Sequence, residues 1–260
     1  MPVFSPVDLS GDHHIHTKLC NHASGEMEDY VRAAVSRGLQ SMTFLEHLEC
    51  GLIYEQQIWL TPELFAQYFE EGFRLKKKYA GQIEVQLGVE IGWNALAADE
   101  LRATLARFPF EHRGLSCHFY FDGSRHLNML SSRQEHIDAL IEVGADKVLE
   151  AYFASLIEAC GEIPCDKLCH LDAALRHLPN IRLTARHQAQ ISQLLELLRG
   201  KNIALEVNTS GYAVRPAPYP GAEIIRRAAA MGIALIPGSD AHHPEQVGRH
   251  FEQIRQLLSP

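Results

Sequence analysis

The feature that most narrows what this chain can become is a unit repeated along its length: a helical stretch, a glycine, then a short apolar strand. Gly38 precedes LQSMTFL, Gly81 precedes QIEVQLGVE, Gly200 precedes KNIALEVN and Gly232 precedes IALIPGSD. A glycine just past a helix end adopts the left-handed cap that other residues resist. The stretches before these glycines carry helical spacing, as in Met27, Tyr30 and Ala34 or Leu64, Tyr68 and Leu75. Thr61-Pro62-Glu63 has the pattern of an N-cap followed by proline at the first helical position. Ser132-x-x-Glu135 has the pattern of a capping box.

Seven candidate strands result, at about 8–14, 40–45, 83–89, 113–118, 166–170, 203–207 and 233–237, with helical segments between most of them. Repeated β–α alternation implies a parallel sheet, and seven such units predict a closed or nearly closed α/β barrel. The 260 residues, 46% of them hydrophobic, suffice for one barrel core, so a single domain spanning 1–260 is expected. Segment 120–135 (YFDGSRHLNMLSSRQE) fits no element and is expected to be a loop over the barrel mouth.

Charge and composition exclude several functions. The 24 basic and 32 acidic residues give a net charge of −8 with no basic stripe, which argues against a nucleic-acid groove. A small anionic substrate would then need positive charge supplied locally, by metals or a few arginines. No apolar run is long enough to span a bilayer. Asp8 and Asp12 come early, and no charged n-region precedes an apolar stretch. The six cysteines form no CxxC pair and no dense framework, so they are expected to be reduced thiols filling the core. A cytoplasmic protein is expected; the sequence does not set its oligomeric state.

The fifteen histidines are the compositional anomaly, and neutral imidazole is the commonest protein metal ligand near neutral pH. His14 and His16 lie in DHHIH at the end of strand one, where residues i and i+2 point the same way. His47 follows strand two, Glu90 ends strand three, His118 ends strand four and His170 ends strand five. Asp240 and His242 follow strand seven, and His22 lies in the loop after strand one. All fall at C-terminal strand ends, where barrel enzymes build their sites. Nine candidate ligands exceed one tetrahedral site, so two or three divalent ions are expected, with zinc, manganese, iron and cobalt all compatible. Glu90 is the candidate carboxylate for bridging two of them. Cys20, two residues before His22, is expected to be a bystander.

The segments DHHIHTKLCNHA, LEHLE, LGVE, LSCHF, CHLD, LEVNTSGY and GSDAHHPEQVG resemble, in order and spacing, the PHP (polymerase and histidinol phosphatase) family, specifically its histidinol-phosphatase branch. The likeness covers essentially the whole chain. It implies a distorted (β/α)7 barrel, TIM-like, with a trinuclear centre. It also implies that His14, His16, Glu90 and Asp240 hold one ion, that Glu90, His118 and His170 hold a second, and that His22, His47 and His242 hold a third. Arg176, six residues beyond His170, is implied as a phosphate contact.

One departure stands out. Family members usually place an arginine within two or three residues of the NTSG-like stretch and a glutamate before the Tyr-Pro. Here the chain runs Gly211-Tyr-Ala-Val-Arg215-Pro-Ala-Pro-Tyr-Pro, with the arginine shifted and no glutamate. This bears on the non-phosphate end of the substrate and leaves the metal chemistry unaffected.

The implied reaction is hydrolysis of L-histidinol phosphate. Two ions about 3.5–4 Å apart can lower the pKa of a bridging water to about 7 and clamp the attacked phosphate. Glu90 and Asp240 are the expected catalytic carboxylates, and His243 the expected leaving-group acid, with an exposed loop histidine as its alternative. Arg176 and Arg215 would neutralise the phosphate, and Asn208 would contact substrate or cap a turn. Asp12 and Asp172, each two residues from a ligand, are candidates for orienting imidazoles. The rival readings are a PHP phosphoesterase of other specificity (nucleotide or sugar phosphate, phosphodiester, exonuclease), an amidohydrolase-like metal hydrolase, and a non-catalytic PHP module. A modified bridging lysine would mark the second, but no strand-end lysine is evident; lost ligands would mark the third.

Overall fold

The computed structural model describes residues 7–177 and 181–258. The strands are β1 (Gly11–Ile15), β2 (Ser41–Leu48), β3 (Glu84–Gly92), β4 (His112–Ser116), β5 (Phe119–Phe121), β6 (His126–Asn128), β7 (Lys167–Leu168), β8 (Ala204–Asn208) and β9 (Leu235–Gly238). The helices are α1 (Met27–Ser36), α2 (Pro62–Lys78), α3 (Ala98–Arg107), α4 (Gln134–Val143), α5 (Ala145–Glu162), α6 (Ala185–Lys201), α7 (Ala222–Ala230) and α8 (Phe251–Leu258). Seven strands form one all-parallel sheet in the order β1-β2-β3-β4-β7-β8-β9, while β5 and β6 make a separate antiparallel hairpin. Because spatial order follows chain order, the sheet curls steadily round until its two edges meet.

That closure is thin. β1 and β9 share one bridge, Ile15 to Ala241, in which the His16 N–H donates to the Ala241 carbonyl at 2.9 Å and the Ala241 N–H to the His14 carbonyl at 3.2 Å. Asp12 reinforces it: its fully buried carboxylate accepts the Ser239 N–H at 2.9 Å and the Gly248 N–H at 2.7 Å. Asp12 therefore staples the barrel seam and touches no imidazole, contrary to the role expected of it. The result is the distorted, nearly closed (β/α)7 barrel anticipated from the strand count.

The helices bury one face each. On α2, Phe65, Tyr68, Phe69, Gly72 and Leu75 recur at helical spacing and are buried, and the Tyr68 hydroxyl reaches the Phe44 and Gly88 carbonyls at 3.2 and 3.0 Å. Thr61 caps α2 as expected, its hydroxyl accepting the Leu64 N–H, with Pro62 at the first turn. Three of the four punctuating glycines, Gly38, Gly81 and Gly232, have positive φ. Gly200 does not; it lies inside α6, and Asn202 at φ 56° makes the left-handed turn instead.

Two other expectations are corrected. Segment 120–135 is largely the β5–β6 hairpin and the start of α4, because strands of three residues are too short to show a period. Ser132 caps nothing: Arg133 occupies the N-cap of α4 without a side-chain bond.

Asp12→Ala would leave the buried Ser239 N–H and the half-buried Gly248 N–H at the seam without an acceptor, each costing about 1–3 kcal/mol. Urea unfolding is expected to show a loss of at least about 2 kcal/mol, while Asp8→Ala, at an exposed turn, stays near the parent. Equal stability of Asp12→Ala and the parent would show that the seam does not need the staple.

Candidate metal centre

The sheet places the expected ligands at the carboxyl end of the barrel. His47 and Glu90 lie within β2 and β3, which run on to Leu48 and Gly92, and they are direct register partners. Their side chains therefore emerge side by side, with His47 Nδ1 3.0 Å from Glu90 Oε2. His118 and His170 lie two residues beyond β4 and β7, and both reach the other Glu90 oxygen, at 3.1 and 2.7 Å. The Ser116 hydroxyl donates to that same oxygen at 2.5 Å. On β1, His14 Nε2 and His16 Nε2 come within 2.9 Å of each other. Asp240, held at φ 52°, faces both at 3.9 and 3.4 Å. His22 and His242 complete the ring, their Nε2 atoms 2.9 Å apart.

The His22–His242 contact decides what this cluster is for. His22 Nδ1 lies 3.0 Å from the Cys20 carbonyl and His242 Nδ1 lies 3.1 Å from the Asp240 carbonyl. A carbonyl only accepts, so each Nδ1 carries the proton and each neutral ring presents a lone pair at Nε2. Burial pushes the His22 imidazole down, and it pushes His242 down to about 4 despite the nearby Asp240 carboxylate. Two lone pairs facing each other at this distance repel unless a cation lies beside them. Burial likewise lowers His16 well below its usual range and His47 to about 3. Buried His47 Nε2 and His16 Nδ1 have no hydrogen-bond partner among the described residues. The donor set thus fits divalent cations, and the groupings His14–His16–Asp240, His47–Glu90–His118 and His16–His47–His242 each bring their ligand atoms within 4.8 Å of one another.

Two imidazoles behave differently because carboxylates grip them from behind. His118 Nδ1 lies 2.6 Å from Glu49 Oε1, and His14 Nδ1 lies 2.6 Å from Glu206 Oε1. Burial lowers His118, but Glu90 and Glu49 outweigh it and raise it to about 10. Burial opposes ionisation of Glu90 too, yet the surrounding imidazoles of His118, His14 and His47 hold it well below the usual carboxylate range. A carboxylate at Nδ1 leaves Nε2 aimed at the cavity, the arrangement that fixes ring orientation at metal sites. Room for these carboxylates comes from glycines: a Cβ at Gly92 would lie 2.0 Å from Glu49 oxygens, and one at Gly238 would lie 2.5 Å from Glu206 Oε1.

The cluster floors a cavity of about 420 Å3. Arg176 enters it from beyond β7, its Nη2 3.3 Å from the Ser210 hydroxyl and its Nε without a hydrogen-bond partner among the described residues. The opposite wall is Tyr54, Gln56 and Ile58 with Asn128, Leu130 and Ser131.

The PHP domain profile matches residues 12–210. The chain belongs to the PHP family. A Deinococcus radiodurans relative called "probable histidinol-phosphatase" is 28% identical over 247 residues, covering 92% of this PHP chain and 89% of the relative. A Bacillus subtilis histidinol-phosphatase is 26% identical, covering 93% and 96%. Among solved structures, a histidinol phosphatase candidate from Listeria monocytogenes superposes with a TM-score of 0.85 at 17% identity, covering 94% of this chain and 99% of that one. The Lactococcus lactis histidinol phosphate phosphatase, in complex with zinc, L-histidinol and phosphate, gives 0.76 at 18%, covering 96% and 94%.

Of the residues singled out in this PHP sequence, the nine candidate ligands and Arg176 converge on the mouth. Arg215, Asp172, His243 and Asn208 do not line the cavity. Arg215 is committed to Asp172 Oδ1 at 2.8 Å and to the Pro218 carbonyl, and it covers the Tyr219 ring at 4.0 Å. Asp172 spends its other oxygen on the Gly221 N–H, not on an imidazole. His243 is exposed, paired with the Ser24 hydroxyl at 2.6 Å. Asn208 is buried, donating to Glu206 at 3.0 Å and lying 3.4 Å from Asp240. Sequence reasoning missed Glu49 and Glu206. The available signal was period two: Glu49 shares a strand face with His47, and Glu206 with Asn208.

Glu90→Gln keeps the side chain's shape and removes the charge shared by His47, His118 and His170. The purified variant is expected to retain at least one ion fewer per chain than the parent after dialysis, read by elemental analysis. Full stoichiometry in that variant would take Glu90 out of the centre.

Proposed function

We propose that this PHP protein is a metal-dependent phosphomonoesterase that hydrolyses L-histidinol phosphate to L-histidinol and inorganic phosphate. The observation that carries the reading is the cavity itself: a floor of inward lone pairs and carboxylates, with the guanidinium groups of Arg176 and Arg133 in its walls. Relatives bearing the histidinol-phosphatase name align over nearly their whole length, and a cavity of about 420 Å3 suits a small molecule.

His14, His16, Glu90 and Asp240 would hold one ion, Glu90, His118 and His170 a second, and His22, His47 and His242 a third. Bound ions of this kind supply an activated water and neutralise charge on the phosphate. Glu49 and Glu206 hold the His118 and His14 rings so that Nε2 faces the cavity. Arg176 offers its unpartnered Nε–H and its remaining guanidinium protons to phosphate oxygens, for which its planar fork is suited. Tyr219 supports that guanidinium from below, 5.5 Å away. The wall of Tyr54, Gln56, Ile58, Asn128, Leu130 and Ser131, with Arg133 paired to Glu55 at 2.9 Å, would receive the leaving alcohol. The six unpaired cysteines support a reducing, cytoplasmic setting.

The test is a phosphatase panel on metal-quantified enzyme, with L-histidinol phosphate, nucleotide monophosphates, sugar phosphates and p-nitrophenyl phosphate. L-histidinol phosphate is expected to give the highest kcat/KM; preference for a nucleotide or sugar phosphate would move the protein to another PHP specificity. Arg176→Ala removes a charge-assisted contact of about 1.5–3 kcal/mol, so kcat/KM is expected to fall about 10- to 100-fold. Unchanged kinetics would return Arg176 to a structural role.

A further inference from the structure

We propose that Glu206, neutralised by Lys167, is the positioning residue that fixes the His14, His170 and Asp240 side of the metal centre. Its carboxylate is fully buried on β8 and accepts from four donors on three strands or their extensions. Oε1 takes His14 Nδ1–H at 2.6 Å and Lys167 Nζ at 2.7 Å. Oε2 takes the His170 backbone N–H at 3.0 Å and Asn208 Nδ2 at 3.0 Å. Through these bonds it sets the His14 tautomer, holds His170 at its φ of 22°, and orients the Asn208 amide that lies 3.4 Å from Asp240. Lys167 is fully buried too, and its remaining contact is the His13 carbonyl at 2.7 Å.

The geometry requires a carboxylate and not merely a hydrogen-bonding group. All four partners are donors, and a lysine and a backbone N–H cannot reverse polarity. An amide at position 206 has one accepting atom. Once Lys167 no longer competes for it, as in Lys167→Met, the His170 N–H and the Asn208 amide together claim it, which turns the amide NH2 toward His14 Nδ1. His14 must then accept at Nδ1 and carry its proton at Nε2, so the proton points into the cavity where an ion would bind. A residue with only a structural role would leave that tautomer alone. The proposal rests on the reading of His14 as a metal ligand and is independent of which phosphate ester is hydrolysed.

The experiment compares the parent, Glu206→Gln, and the double variant Glu206→Gln with Lys167→Met, in which no buried charge is left unpaired. Side-chain 15N spectra of metal-stripped protein, taken at a pH alkaline enough to discharge the imidazolium that, against burial, Glu206, Glu90 and Asp240 favour, report the His14 tautomer, and zinc competition against a chelator series reports affinity. The parent is expected to hold His14 as the Nδ1–H form. The double variant is expected to hold it as the Nε2–H form, and both variants to bind their tightest zinc about 10- to 100-fold more weakly. If Glu206→Gln alone fails to fold, the double variant carries the test. Parental tautomer and zinc affinity in the double variant would overturn the proposal and leave the pair as barrel filling. Because neither readout involves a substrate, failure here is distinct from failure of the phosphatase panel.

Discussion

The mouth of this barrel holds more lone pairs than protons, and much of the surrounding structure follows from that imbalance. His22 and His242 face each other through unprotonated nitrogens, each with its proton spent on a backbone carbonyl behind it. His14 and His16 meet Nε2 to Nε2 as well, with Asp240 beside them. Imidazoles crowd round the single carboxylate of Glu90. Such a set is stable as a protein surface only where a multivalent cation is the natural partner.

Holding it there takes backbone and buried charge elsewhere. Asp240 and His170 sit at positive φ, a conformation that costs a non-glycine residue on the order of 1–3 kcal/mol. Neighbours compensate: Arg249 donates to the Ser239 and Asp240 carbonyls at 3.0 and 3.1 Å, and the His170 N–H finds Glu206. Asp12 ties the same β9 exit to β1. The seam where the barrel closes and the loop that presents Asp240 are thus one hydrogen-bonded unit, so closure and ligand placement are coupled.

What could be read from the sequence and what could not divides along physical lines. A histidine or acid at the exit of an apolar strand has little structural reason to be there, which made His14, His118, His170 and Asp240 conspicuous. The barrel was legible for a related reason, since helix–glycine–strand repetition leaves few other topologies. Strand ends were not: β2 and β3 extend through His47 and Glu90 because these residues pair across the sheet, where a pattern of apolar residues stops short. Glu49 and Glu206 were hidden because a carboxylate in a strand looks solvent-facing until the opposing glycine is seen to make room for it. For Asn208 and His243 the structure takes the second of the two readings the sequence allowed, a turn cap accepting the Ser210 N–H and an exposed loop histidine, because nearness to a ligand does not say which way a side chain turns.

The altered loop at 212–218 acquires a specific meaning in this light. Asp172 is buried two residues past His170 and needs a counter-charge, and Arg215 supplies it while covering Tyr219. Tyr219 in turn underlies Arg176. The shifted arginine therefore acts at one remove: it anchors the platform on which Arg176 stands, and Arg176 alone of the two lines the cavity. The second arginine of the cavity is Arg133, on the far wall with Asn128, Leu130 and Ser131, where it pairs with Glu55 at 2.9 Å. That wall joins two separate stretches of chain through His126, whose backbone and ring bond the Ile53 carbonyl and N–H at 2.9 and 3.0 Å. The hairpin carrying His126 is an insertion between β4 and β7 and contributes nothing to the barrel sheet.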